Sequence, residues 1–478
     1  MISGLRKYLN LKTLILLLPV LIFIVFRFIV GFNGLYGQDS HEYYHYSRAV
    51  TNFFITGTSP GDYFWPVYYP ILGAIFGFII GNLLSLQLIS VLSLSGSLFF
   101  LFKIMDEIFD EQKYLTIYLL ITFLLSPFIL RNSLVVMSDL LTVFFITSSF
   151  YFFIDYLHKN ELKQIVLFSV FSAMAVLTRY ASVVVLIIPG FIITHQIIKN
   201  RKVLHLLILL AIVVILSIPH ILIRESNSTE FLGHSWLQDW SLSNFLKNNF
   251  TTPEGTQHYR FPNIIYSFSS VFFPTYLVFG LVLIVLSERN LPKNKFWLIS
   301  LLIVLLNAFF LAGIPFQNQR YLLLSYTFVV ISVFPGFERL VNILQRRKLR
   351  LYSALSIMFI LQIFYCIYYF RPAYERNILE KEIADFVKND THKNVYAFDI
   401  DVSFISYDVN KTVINMWKER ISDFSPNSIV VFNPEKFKEQ WANMNPMLNW
   451  NELKTNYNLH KLKDFGDGWK AYEIRFNP

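Results

Sequence analysis

Runs of roughly 20 mostly apolar residues recur along this chain, and that is the length a helix needs to cross a bilayer. They lie near 12–31, 83–103, 113–130, 139–157, 163–179, 180–198, 203–221, 268–287, 295–312, 321–335 and 351–370. The pattern predicts an all-α polytopic membrane protein with about eleven transmembrane helices. Composition agrees: of 478 residues only 15% are charged, against about 25% in a typical soluble domain. A soluble fold also has nowhere to bury 49 phenylalanines. The shorter apolar run 68–81 reads as a helix lying at the outer membrane surface that leads into the second span. The first span, preceded by KYLNLK, has the look of a signal peptide. It is long and no small-x-small cleavage site follows it, so it reads as an uncleaved anchor.

Orientation follows from lysine and arginine, which concentrate in cytoplasmic loops. With the N-terminus inside, the inner loops carry Arg6, Lys7 and Lys12, then Lys103 and Lys113, then Lys159 and Lys163. Lys199, Arg201 and Lys202 follow, then Arg289, Lys293 and Lys295, and finally Arg339, Arg346, Arg347, Lys348 and Arg350. The outer loops hold only Arg48, Arg131, Arg179, Arg224, Lys247, Arg260 and Arg320, over longer stretches. The net charge of +9 is therefore a signature of topology rather than of nucleic-acid binding, since no basic face is formed. The one cysteine, Cys366, excludes a disulfide framework and a cysteine metal site and reads as apolar filler.

This orientation places three pieces outside the membrane: a first loop at 32–67, a second at 222–266 containing ESNSTEFLGHSWLQDW, and a tail beyond 371. The expected division is a transmembrane domain at 1–371 and an extracytoplasmic α/β domain at 372–478. In the tail, VYAFDI, SIVVFNP and AYEIRF read as strands and YERNILEKEIADFVKN as an amphipathic helix.

The stretch GLYGQDSHEYYHYSRAV, residues 34–50, is dense in acids, histidines and tyrosines directly after the first span. If helical, it puts Asp39 and Tyr43 on one face at i, i+4, with Glu42 beside Asp39 at i, i+3. Other candidates are charges near outer span ends. Asp139 opens a span, where an acid also suits the helix dipole. Arg131, Arg179 and Arg320 either bind an anion or extend to lipid headgroups. Arg27, inside the first apolar run, reads as a structural ion pair or a headgroup-reaching side chain. His41, His45, His234 and His258 follow no metal-ligand spacing, so no metal or other cofactor is expected. Asn-x-Thr triplets at Asn227, Asn249, Asn389 and Asn410 would matter only in a host that glycosylates.

Four landmarks in order resemble the GT-C glycosyltransferases that use lipid-phosphate sugars, in particular bacterial proteins similar to protein O-mannosyltransferases and aminoarabinose transferases. They are Asp39 with Glu42 and Tyr43; WPVYYP, from Trp65 to Pro70; RNSLVVMSDLL, from Arg131 to Leu141, followed by LTRY, from Leu177 to Tyr180; and QNQRYLLL, with Arg320 and Tyr321. There are departures. Asp39-Ser40 stands where many members have adjacent Asp-Glu, and WPVYYP replaces paired prolines.

The resemblance implies inverting transfer from a polyprenyl-phosphate-type sugar donor to an acceptor hydroxyl on lipid, protein or glycan, outside the cytoplasmic membrane. It implies Asp39 as the catalytic base and Glu42, Tyr43, Arg131, Asp139, Arg179, Arg320 and Tyr321 as substrate-binding residues. A phosphate leaves without a strong acid, but the acceptor hydroxyl needs a base, and fixed cations stabilise the departing phosphate. Membrane lipids are the other expected partners, and nucleic acid is not one. The competing readings are a multi-span transporter or lipid flippase, a glycan polymerase or ligase, and an inactive scaffold. A transporter predicts inverted repeats, mid-membrane charges and short outer loops.

Overall fold

The computed structural model describes residues 2–61, 63–110, 112–224, 235–287 and 293–477. Helix α1 (Ile2–Ile24) runs into a π-turn at Val25–Ile29 that holds a half-buried Arg27. The following loop is pinned at Gly34, whose φ is +84°. Its carbonyl accepts from the Val136 N–H at 2.9 Å, and the Gln87 side chain occupies the place a Cβ would take. Only glycine meets both conditions. The chain then enters α2 (Gly37–Thr56), an amphipathic helix rather than a span. The apolar run at 68–81 forms α3 (Tyr68–Ile80), and α4 (Asn82–Phe109) follows.

The third expected span is broken. Helix α5 (Leu115–Leu119) passes through a π-turn and bends by 65° into α6 (Pro127–Leu134). Ser126 is extended because a residue before proline is disfavoured in the helical region. Next come α7 (Asp139–Lys159), α8 (Leu162–Thr178), α9 (Val183–Lys199) and α10 (Val203–Arg224). A connecting region holds α11 (Ser235–Gln238), the hairpin of β1 (Asn249–Thr252) and β2 (Gly255–His258), and the short helices α12 (Asn263–Ser267) and α13 (Ser269–Phe272). Helices α14 (Gly280–Ser287), α15 (Lys295–Gly313), α16 (Gln319–Leu344) and α17 (Lys348–Asn389) complete the bundle.

Among the described residues, eight helices are long and apolar enough to cross a membrane, or nine if the bent pair is one span. The other two expected runs are 163–179, which forms α8 at 17 residues, and 268–287, which is interrupted. The interruption falls at Phe273, extended before Pro274 for the same reason as Ser126. Where α16 crosses α14, Gly336 lies against the Leu283 backbone with no room for a side chain, the small-residue contact that lets membrane helices approach closely.

Helix α17 is continuous for 42 residues, about 60 Å at 1.5 Å per residue. It passes residue 371 without a break, joining what the sequence separates into a span and an amphipathic helix. Its apolar first part belongs to the bundle. Its last turns bury Ile383, Ala384 and Val387 in a second core, distinct from that of the helical bundle. That core is built on β3 (Asn394–Ala397), α18 (Asp401–Ser406), β4 (Thr412–Asn415), β5 (Ser428–Phe432), α19 (Pro434–Phe437), α20 (Asn445–Asn456), β6 (Tyr457–Gly466) and β7 (Trp469–Phe476). The five strands are ordered β4-β3-β5-β7-β6, with β3 parallel to β4 and β5, and β7 antiparallel to β5 and β6. The three strands read from sequence are the three central ones.

Candidate functional site

Three helix starts and one helix end converge. Asp39 lies in the first turn of α2, Asp139 begins α7, Arg320 is the second residue of α16, and Arg179 caps the end of α8. Asn318 fixes the start of α16 by accepting from the Arg320 N–H at 3.0 Å. The Asp139 side chain is fully buried. Its Oδ2 accepts from Arg320 Nε at 3.0 Å, and Arg320 Nη2 lies 3.0 Å from the same oxygen. Its Oδ1 pairs with Arg179 Nη1, and Arg320 Nη1 pairs with Asp39 Oδ2. Two carboxylates and two guanidiniums thus compensate one another, the condition for holding charge at such depth.

The four side chains are not equally enclosed. Asp139 is 0% exposed, Arg179 13%, Arg320 14% and Asp39 30%. Asp39 is the open end of the cluster, with one oxygen held by Arg320 and the other without a protein partner among the described residues. The Arg179 guanidinium sits 4.8 Å from the centre of the Tyr321 ring, a cation–π contact.

Tyr43, one turn along α2 from Asp39, shares a hydrogen bond of 2.7 Å with the Ser138 hydroxyl at the start of α7. Its ring packs on Trp65 at 5.8 Å and on Tyr69 at 5.1 Å. The WPVYYP element therefore closes over α2 through its aromatic residues. Burial pushes the Tyr43 phenol above its ordinary range, so it stays a neutral hydrogen-bonding group. Glu42 makes no ion pair among the described residues. Burial, then the neighbouring Asp401 and Asp39, raise its carboxyl above the usual range. It faces the C-terminal sheet domain rather than the arginines.

Arg131, on α6, differs from the other two arginines. Its guanidinium lies 4.5 Å from the Phe128 ring centre and 5.6 Å from that of Tyr36, and its buried Nε has no hydrogen-bond partner among the described residues. No carboxylate bridges it there.

His41 and His45 are joined through Ser406, and His258 bonds Asn249 Oδ1 at 2.7 Å; His234 lies outside the described residues. Among the described residues no three His, Cys, Asp or Glu side chains form a group that could hold a metal ion. Sequence reading missed Glu380 and Arg376 as partners of α2. Their only local signal is an i, i+4 pairing of Arg376 with Glu380 that looks like an ordinary surface contact.

A helical bundle with an ionic cluster at its helix starts and a sheet domain carried on the last helix is a GT-C type fold. Residues 66–223 match the family model described as dolichyl-phosphate-mannose-protein mannosyltransferase. Among solved structures, the chain is similar to ArnT from Cupriavidus metallidurans bound to undecaprenyl phosphate, with a TM-score of 0.59 and 11% identity over 95% of this chain and 97% of that one. The apo state of that protein matches with a TM-score of 0.54, at the same identity and coverage. At 11% identity this is a likeness of fold. No curated protein matches the chain in sequence.

Proposed function

We propose that the chain is an inverting glycosyltransferase that moves a sugar from a polyprenyl-phosphate-type donor to an acceptor hydroxyl. The observation that carries this reading is the open carboxylate of Asp39 at the edge of an otherwise closed ionic cluster. Arg320 holds one Asp39 oxygen and thereby aims the other, while Asp139 clamps Arg320 and Arg179 from behind. The acceptor oxygen attacks the anomeric carbon and its proton passes to Asp39. The bond from that carbon to the phosphate oxygen breaks, and the lipid phosphate leaves with the electron pair.

Arg131 is the cation suited to that phosphate. Arg179 and Arg320 are already neutralised by carboxylates, whereas Arg131 has no carboxylate partner among the described residues. A phosphate beside it would satisfy a buried donor and stabilise the charge that develops as the bond breaks. The proposed chemistry uses side chains alone. Undecaprenyl phosphate bound to a protein of this fold supports the lipid class of the donor.

The lysine and arginine bias supports a cytoplasmic-membrane location with the N-terminus inside. On that orientation the site, the loops at 32–67 and 222–266, and the domain at 372–478 all face outward.

The test is release and transfer of labelled sugar from a panel of polyprenyl-phosphate and polyprenyl-diphosphate donors by purified protein, with Asp39→Asn alongside. The expected result is turnover by the wild type and a fall of about 10²–10⁴-fold in the variant, the usual worth of a positioned base. Equal turnover by both removes Asp39 from the mechanism. Uptake or flipping of donor without glycosidic cleavage would favour a transporter.

A further inference from the structure

A second ionic cluster grips α2 from the side away from the arginines. His41 is two residues beyond Asp39, about 200° around the helix, and it is 1% exposed. Its Nε2 lies 3.0 Å from Glu380 Oε2 on α17. A carboxylate can only accept, so the Nε2 proton belongs to His41. Glu380 is 0% exposed and also accepts from Arg376 Nε at 2.6 Å. Arg376 reaches Asp399 at 3.2 Å, and Asp399 meets Lys436 at 2.6 Å. The ladder thus runs from α2 into the sheet domain.

The other ring nitrogen of His41 is also taken. The Ser406 hydroxyl, at the end of α18, lies 2.7 Å from His41 Nδ1 and 2.8 Å from His45 Nε2. With the His41 proton on Nε2, Ser406 donates to His41 Nδ1 and accepts from His45 Nε2–H. The loop just before α2 is held by the same long helix: Asn377 Nδ2 donates to Asn33 Oδ1 at 2.6 Å and to the Leu35 carbonyl at 2.8 Å.

We propose that His41 is a positioning residue for Asp39, through which the C-terminal sheet domain and α17 hold the helix that carries the reactive carboxylate. Helix α2 is fixed between Arg320 on one side and Glu380 on the other. Each contact restricts rotation of the helix about its axis and its slide along α17. A carboxylate that must meet an acceptor hydroxyl within hydrogen-bond reach is sensitive to such a shift, since a displacement of about 1 Å can cost about 10²-fold in rate. Removing His41 leaves Glu380 still paired with Arg376, so the ladder loses its link to α2 without leaving a bare buried charge.

The proposal rests on Asp39 being the base, so its test carries one readout that needs no activity. His41→Ala, His41→Gln and His41→Asn are compared with the wild type in turnover and in amide hydrogen exchange over 37–47. A Gln amide can occupy the place of Nε2 and keep the bond to Glu380. An Asn amide reaches only toward Ser406. The expected result is a kcat about 10- to 100-fold lower in His41→Ala, with donor KM changed by less than about twofold, as for a group acting on the chemical step. His41→Gln recovers most of the loss and His41→Asn does not, and exchange over 37–47 quickens in the same order.

Turnover and exchange unchanged in His41→Ala overturn the proposal. So does an equal loss in all three variants that tracks a fall in melting temperature, since that is generic destabilisation. If the wild type turns over no donor, the function reading fails by itself and exchange decides the rest. Faster exchange in His41→Ala than in His41→Gln then supports the link, and identical exchange ends it.

Discussion

The two ionic clusters that hold α2 are alike in parts and different in closure. The ladder of His41, Glu380, Arg376, Asp399 and Lys436 has each charge matched to a partner at 2.6–3.2 Å, and its central carboxylate is 0% exposed. The cluster of Asp39, Asp139, Arg179 and Arg320 is closed at Asp139 and open at Asp39, with Arg131 unmatched among the described residues. A fully matched buried network fixes geometry and leaves nothing over for a ligand. A network with one exposed carboxylate keeps capacity for a proton, and Arg131, unmatched among the described residues and near enough to Arg320 to feel its charge, keeps capacity for an anion, which suits a reaction that takes up a proton and releases an anion. The comparison separates a strut from a site by counting what remains unpaired.

The largest expected effect comes from closing off the shared base of the open cluster. Asp139→Ala strips both Arg179 and Arg320 of a buried partner, and breaking a buried pair from one side typically costs about 3–5 kcal/mol. We expect a large drop in the detergent melting temperature together with loss of transfer. Asp39→Asn, at the exposed end, should lose transfer with little change in melting. If the two variants melt alike, the distinction between a closed and an open end of this cluster is wrong.

Arg131→Met sharpens the comparison next. An unpaired, partly buried guanidinium is unfavourable for folding, and a flexible apolar side chain of similar length relieves it. The expected outcome is an equal or higher melting temperature with kcat/KM for the lipid donor about 10- to 100-fold lower, on the order of 1.4–2.8 kcal/mol. The affinity for polyprenyl phosphate alone, measured by displacement of a fluorescent analogue, should fall in parallel. A variant that loses stability and keeps lipid affinity would make Arg131 part of the scaffold.

What could be read from sequence and what could not divide along the same line. The candidates at the open cluster stand at helix ends, where a charge beside an apolar run is conspicuous. Asp139, Arg179 and Arg320 are visible that way and Asp39 through the acid- and tyrosine-rich stretch after the first span, and the structure gathers the four. Their pairing was not visible, because Arg320 meets Asp39 across 281 positions and Asp139 across 181. The spare charge of Arg131 emerges only once the other two arginines are seen to be occupied.

The ladder was hidden for the opposite reason. Glu380 and Arg376 lie in a helix patterned for a surface, and only the fold brings His41 to them across 339 positions. The tail shows the same effect in its backbone. Central β5 is buried throughout and announces itself in SIVVF. The edge strands β4 and β6 carry Thr412, Asn458, His460, Lys461 and Lys463 and look like loop, as edges that must avoid further pairing commonly do.

The smallest predicted effect tests the rim of the ladder. Burial, then neighbouring His41 and Arg48, push His45 from an ordinary 6.5 down to about 4. The groups around it are His41 and Arg48 on its own helix and Ser406 and Asp408 from the sheet domain, with Arg48 and Asp408 3.6 Å apart. Between those two values the unfolded chain binds a proton at this position that the folded chain refuses. Stability contributed by neutral His45 is therefore complete above about pH 6.5 and is lost as the pH falls toward 4. His45→Gln removes that titration and keeps a side chain able to donate to Ser406. Its melting temperature should fall less than that of the wild type between pH 7 and pH 4.5, and the two curves should run parallel above pH 7. Parallel curves across the whole range would mean that burial beside His41 and Arg48 does not hold His45 neutral in the folded chain.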